Sequence, residues 1–176
     1  ADYTADSCGS GDETVWSYDT LPTGISCPIT GGCNHTTGRL AYVKKSLLCS
    51  SSYTDNSLDQ ETFYSYDPAG RIVEEYIRDD SGRIADQQYT WTKDGALASV
   101  TTPSTAVIGY TYGSTGTNSD SDRITAVWQG SASTPIADTV EWFPFGSLEQ
   151  YNQEATISGT ALRTVISPDL ASRISN

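Results

Sequence analysis

The sequence predicts an all-β chain, an array of short antiparallel hairpins with little or no helix. Three observations carry that expectation: short alternating runs of apolar and polar residues, turn-forming residues after each run, and recurrence of one run-and-turn pattern along the chain. Nowhere does an apolar pattern at helical spacing persist for three turns.

Composition points the same way. The 176 residues include 11 Tyr, 4 Trp and no Met, while hydrophobic residues make up only 36%. Aromatic and β-branched side chains suit a pleated, half-buried surface. So small an apolar share fits a thin extended sheet better than a thick globule.

In chain order, residues 1–14 are polar and rich in Gly, Ser and Asp, a loosely held arm unless Cys8 ties it down. The array is expected over 15–176, with a cysteine-bearing inserted loop at about 20–50. Its clearest runs are Thr62–Tyr66, Gln88–Thr92, Val107–Tyr112 and Thr139–Phe143, each followed within two residues by Gly, Pro or Asp. Those residues supply the positive or fixed φ that tight turns require.

Repetition is clearest from the unit Tyr64-Ser65-Tyr66-Asp67-Pro68-Ala69-Gly70-Arg71-Ile72. Alternation puts Tyr64 and Tyr66 on one face as an aromatic stripe and Ser65 on the other. Asp67 can accept from the turn amides, and Gly70 can take the left-handed conformation that closes the turn. Arg71 then stands within reach of the Asp67 carboxylate or of a neighbouring unit's rings. These roles are structural. The same offsets recur in Tyr89-Thr90-Trp91 with Gly95-Ala96-Leu97, in Trp142 with Gly146-Ser147-Leu148, and in Asp169 with Arg173-Ile174, where Ser172 replaces the glycine. Two copies are stretched: Trp16-Ser17-Tyr18-Asp19 precedes Gly38-Arg39-Leu40 by the cysteine loop, and Tyr110-Thr111-Tyr112-Gly113 precedes Asp122-Arg123-Ile124 by a polar one. Asp80-Ser81-Gly82-Arg83-Ile84 is a further turn of this type.

At these residues the chain resembles the YD-repeat (RHS-repeat) family, whose hallmark Tyr-x-Tyr-Asp-x-x-Gly-Arg-Leu/Ile is matched throughout by Tyr64 to Ile72. Trp142-Phe143-Pro144-Phe145-Gly146 is similar to a Pro-Phe-Gly segment often met in such proteins. The resemblance spans roughly residues 15–175 as a degenerate array. It implies a coiled β-strip of hairpins, which in larger relatives closes a shell around a toxin polypeptide or serves cell-surface contact. Five or six units are too few to enclose a cargo, and no segment resembles the self-cleavage region of some relatives. The last unit stops just after Arg173-Ile174, which predicts a longer parent chain or edge-to-edge association with another copy.

Charge and cysteines bound the setting. The net charge of −12 disfavours nucleic acid and anionic membrane as partners. No apolar run approaches the length of a membrane span, and no signal-like segment opens the chain, which reads as a mature or trimmed piece. Cys8, Cys27, Cys33 and Cys49 predict two disulfides, in any of three pairings, and hence an oxidising, secreted or cell-surface location. Zinc at Cys33 and His35 is disfavoured for want of further ligands.

Other chemistry is thin. Neighbours such as Glu74-Glu75 and Asp79-Asp80 face opposite ways on a strand and cannot flank one bond. Asn118, Asp120 and Asp122 resemble the start of a calcium loop, but Arg123 stands where glycine is needed and Gln129 where the closing glutamate is needed. Asn34-His35-Thr36 is a glycosylation triplet. The expected function is therefore non-catalytic: an extracellular shell, fibre or contact module, partnered by copies of itself or by the rest of a larger chain, with no cofactor. Two alternatives stand beside it, an adhesin that binds carbohydrate through exposed aromatics such as Trp91 and Trp142, and a hydrolase with groove carboxylates.

Overall fold

A computed structural model describes residues 13–46, 59–79, 81–113, 123–130, 135–143, 146–157 and 160–166. The chain is all-β, with no helix among the described residues. Its strands are β1 (Glu13–Tyr18), β2 (Leu40–Ser46), β3 (Gln60–Tyr66), β4 (Ile72–Asp79), β5 (Ile84–Trp91), β6 (Leu97–Thr101), β7 (Val107–Tyr112), β8 (Ile124–Gln129), β9 (Pro135–Trp142), β10 (Leu148–Ile157) and β11 (Thr160–Val165). Every resolved pairing is antiparallel and joins chain neighbours, as expected of linked hairpins.

The chain divides into two compact bodies, Ala1–Tyr89 and Thr90–Asn176. In the amino-terminal body, β2, β3 and β4 align Tyr42, Phe63 and Tyr76 in one row across the sheet. Tyr42 and Phe63 are almost wholly buried, with ring centroids 5.1 Å apart in an edge-to-face arrangement. The chain between β1 and β2 folds over this row. Its Leu21, Ile25, Cys27, Ile29 and Cys33 pack against the rings and make the body's core.

Two sequence expectations shift here. Strand β1 begins at Glu13, two residues inside the expected polar arm, and β2 lies within the expected loop at about 20–50. The cysteine-bearing insertion between β1 and β2 thus ends at Arg39, because Leu40 pairs with Tyr18 of β1 and Tyr42 onward pairs with β3 as well.

The carboxy-terminal body contains β6 to β11 and the end of β5, in a meander whose buried side chains among the described residues are Thr125 and Val140. Gly109 of β7 lies opposite Trp128 of β8, whose indole covers it so closely that a Cβ there would collide with the ring. An aromatic laid across a strand glycine restores the contact surface that the missing side chain removes.

Candidate interaction surfaces

The turn after β3 shows how the repeated residues work. The Asp67 amide donates to the Arg71 carbonyl (2.9 Å) and the Gly70 amide to the Asp67 carbonyl (2.9 Å). Gly70 sits at φ +87, so a left-handed residue ends a tight turn and leaves a bulge beside it. The carboxylate of Asp67 accepts from the Arg71 amide (2.9 Å) and from its Nε (2.7 Å). These bonds, the Arg71 amide first and its guanidinium after, hold the Asp67 carboxyl below its ordinary pKa.

The same two backbone closures recur at Asp79/Arg83, Thr92/Ala96, Thr102/Ala106 and Phe143/Ser147. Thr105 takes the left-handed place at φ +65 without being glycine. The stretched first copy keeps the geometry as well. Asp19 donates its amide to the Arg39 carbonyl at 2.9 Å, while its carboxylate accepts from the Gly38 amide at 2.5 Å. Tyr18 pairs with Leu40, Tyr66 with Ile72 and Tyr112 with Ile124, each beside a register shift. Arg39 and Leu40 therefore occupy, across the insertion, the places that Arg71 and Ile72 occupy in the compact unit.

A second pattern links successive hairpins. The Tyr66 hydroxyl at the end of β3 donates to the carbonyl of Leu40, the first residue of β2, at 2.8 Å. Likewise the Tyr112 hydroxyl at the end of β7 reaches Leu97, the first residue of β6, at 2.8 Å. Trp142 Nε1 at the end of β9 reaches Ile124, the first residue of β8, at 2.9 Å. In all three, a repeat aromatic extends its polar tip to the strand before it. Arginines join in: the Arg39 guanidinium lies over the Tyr66 ring, 5.7 Å from its centroid, and against Gly70, while Arg123 Nη1 donates to the Phe143 carbonyl at 2.8 Å.

The predicted cysteines are placed only in part. Cys27 and Cys33 form a disulfide with Cα atoms 5.8 Å apart; Cys8 and Cys49 lie outside the described residues. Bound in that disulfide, Cys33 is no thiolate and no metal ligand with His35. His35 instead takes φ +53 and accepts Arg39 Nη1 through its carbonyl at 2.9 Å. Asn34 uses its side-chain nitrogen to bond the Gly31 and Gly32 carbonyls, and its amide donates to Ser65 Oγ at 3.1 Å. Asp169, Arg173 and the triplet Asn118, Asp120 and Asp122 also lie outside the described residues.

Tyr64 lies opposite Glu75, and burial, followed by that carboxylate, pushes its hydroxyl up to about 12. Ser65, on the other face, is buried beneath the insertion and donates to the Gly32 carbonyl at 3.1 Å. The face with Phe63 and Ser65 is thus the one the insertion covers, while Tyr66 is buried as well, beneath the Arg39 guanidinium. Sequence reasoning singled out neither Phe63 nor Tyr42, although an aromatic at 63 inside an aromatic strand was a signal available to it.

Two further arrangements bear on chemistry. Glu74 of β4 and Asp86 of β5 are diagonal neighbours across the strand pair, Glu74 lying opposite Gln88 and Asp86 opposite Tyr76. Burial first, and Asp86 second, raises the Glu74 pKa. In the carboxy-terminal body a groove of about 680 Å³ is lined by Thr90, Thr92, Ser99, Thr111, Trp128 and Asp94, among others. Thr90 and Ser99 hydroxyls bond each other there at 2.6 Å. Neither Trp91 nor Trp142 lines this groove. No protein-family model matches the chain, and no curated protein is significantly similar to it.

Proposed function

We infer that the chain is a non-catalytic structural and interaction module of YD-repeat type, secreted or displayed at a cell surface. The observation that supports this most directly is the use of the repeated residues. Asp67, Gly70 and Arg71 are spent on one turn, and Tyr66, Tyr112 and Trp142 on fastening one strand to the preceding one. Side chains occupied in this way build and fasten a sheet surface. The Cys27–Cys33 disulfide is in keeping with an oxidising compartment.

The test is activity against glycosidic, ester and peptide substrates, with Glu74→Gln as the control. A scaffold turns over none of them. Turnover that disappears in Glu74→Gln would overturn this reading in favour of a hydrolase using the Glu74–Asp86 pair.

One observation favours a second reading, contact with carbohydrate. The groove beside Trp128 offers hydroxyls and one carboxylate around an indole, the lining on which a sugar ring stacks and bonds. Glycan-array binding that is lost on Trp128→Ala, with folding intact, would support it.

A further inference from the structure

We propose that β1 is the receiving edge of a head-to-tail contact between copies of this chain, with Trp16 and Tyr18 as its anchors and the outer edge of β11 of a second copy, beside Leu162 and Val165, as the strand that docks there. The proposal deepens the scaffold reading and rests on it.

The first argument is the linking pattern within the chain. Strands β3, β7 and β9 each end in an aromatic whose polar tip donates to the first residue of the strand before. Strand β1 ends in the corresponding residue, Tyr18, which pairs with Leu40 as Tyr66 pairs with Ile72. Yet among the described residues β1 pairs with β2 alone, and Tyr18 is 61% exposed. A strand added antiparallel to β1 would begin beside Tyr18 and present a carbonyl to its hydroxyl, as β2 does for Tyr66.

The second argument is where apolar surface lies. Six large hydrophobic residues are exposed among the described ones, and four belong to the strands at either end of the order: Trp16 and Tyr18 on β1, Leu162 and Val165 on β11. Edge strands usually carry lysine, proline or inward charge that prevents pairing with another chain. Strand β1, Glu13-Thr14-Val15-Trp16-Ser17-Tyr18, has no lysine and no proline. The single cation of β11, Arg163, is engaged with Gln150 on β10. Among the described residues the outer edges of β1 and β11 are unpaired, with apolar side chains beside them. Because the two edges differ, their union is heterologous and repeats in one direction rather than closing on a two-fold axis.

The experiment uses the full chain and two edge-blocked variants, Trp16→Lys and Val165→Lys, measured by light scattering on a sizing column over a wide concentration range. Far-UV circular dichroism and thermal midpoint confirm that each variant is folded. The wild type is expected to grow in mass with concentration, and each blocked variant alone to remain a monomer. Mixed together, the two variants should form a dimer that grows no further, since each supplies the edge the other lacks. Tyr18→Phe, which removes only the hydroxyl, should weaken association by up to about tenfold. A wild type that stays monomeric throughout would overturn the proposal while leaving the scaffold reading intact. So would self-association by Val165→Lys alone, which would mean a symmetric β1–β1 contact.

Discussion

The two bodies use one hairpin chemistry and pack it differently. In the amino-terminal body the insertion between β1 and β2 folds over Tyr42, Phe63 and Tyr76, so one sheet face becomes the floor of a small core. The carboxy-terminal body has the same turns and the same tip-to-carbonyl bonds, but its described residues bury little beyond Thr125 and Val140. The hairpin pattern thus specifies strand pairing and turn geometry, while thickness comes from what is inserted into it. A hairpin array can gain a local core by lengthening one turn, provided that the turn's end positions, here Asp19 and Arg39, keep their bond.

The largest way to break this contrast is Phe63→Ala. Truncating a fully buried ring at the centre of the capped row should cost about 3–5 kcal/mol, close to the whole stability of a small body. Hydrogen exchange read by mass spectrometry should then show lost protection across β2 to β4. Unchanged protection in β7 to β9 would show that the bodies are stabilised independently, and a parallel loss there would show that they unfold together.

Next in size is the disulfide. A bridge between Cys27 and Cys33 closes a short loop, for which chain-entropy reasoning gives about 2 kcal/mol. Replacing both cysteines with serine should lower the unfolding free energy of the amino-terminal body, read from urea melts, by that amount. Phe63 should remain protected, because Ile29, Leu21 and Ile25 still cover it. Collapse of the cap on reduction would mean that the covalent link, rather than packing, holds it down.

In the carboxy-terminal body the corresponding probe is Gly109→Val. The new side chain meets the Trp128 indole and should cost about 1–3 kcal/mol. Trp128→Ala in the same chain should recover part of that loss, and the coupling between the two substitutions measures their contact. Additive effects would remove the indole-over-glycine contact from the account of how this body is held.

The contrast also explains what was legible beforehand. Tyr64 to Ile72 announced a strand, a turn and a second strand, because Asp67, Gly70 and Arg71 act within five residues of one another. Even the stretched copy could be read, since Asp19 and Gly38-Arg39 kept their identities on either side of the insertion. Burial could not be read in that way. Alternation correctly separated Ser65 from its tyrosine neighbours, but whether the Phe63 and Ser65 face is buried depends on a segment some thirty residues earlier. Pairing across strands was equally hidden. Glu74 and Glu75 do face opposite ways, opposite Ser65 and Tyr64 respectively, yet the relevant neighbour of Glu74 is Asp86, which only the register of β4 and β5 brings near.

That pair gives the smallest of the expected effects and the one most specific to this sheet. Burial and the Asp86 carboxyl favour the protonated form of Glu74, so its folded pKa lies above its unfolded value. As pH rises from the acid side, the unfolded chain ionises first, near pH 4.3. Stability is then lost until the folded pKa is passed, and a constant deficit remains above it. Glu74→Gln removes the titration while keeping a group that can bond Asp86. It should stabilise the protein at neutral pH by less than about 1 kcal/mol, given the pair's partial exposure, and by progressively less as pH falls toward 4. Urea midpoints of the two proteins at pH 4, 5.5 and 7 test this. A variant less stable than the wild type at pH 7 would mean that the ionised Glu74 carboxylate contributes more to the sheet than its repulsion from Asp86 costs.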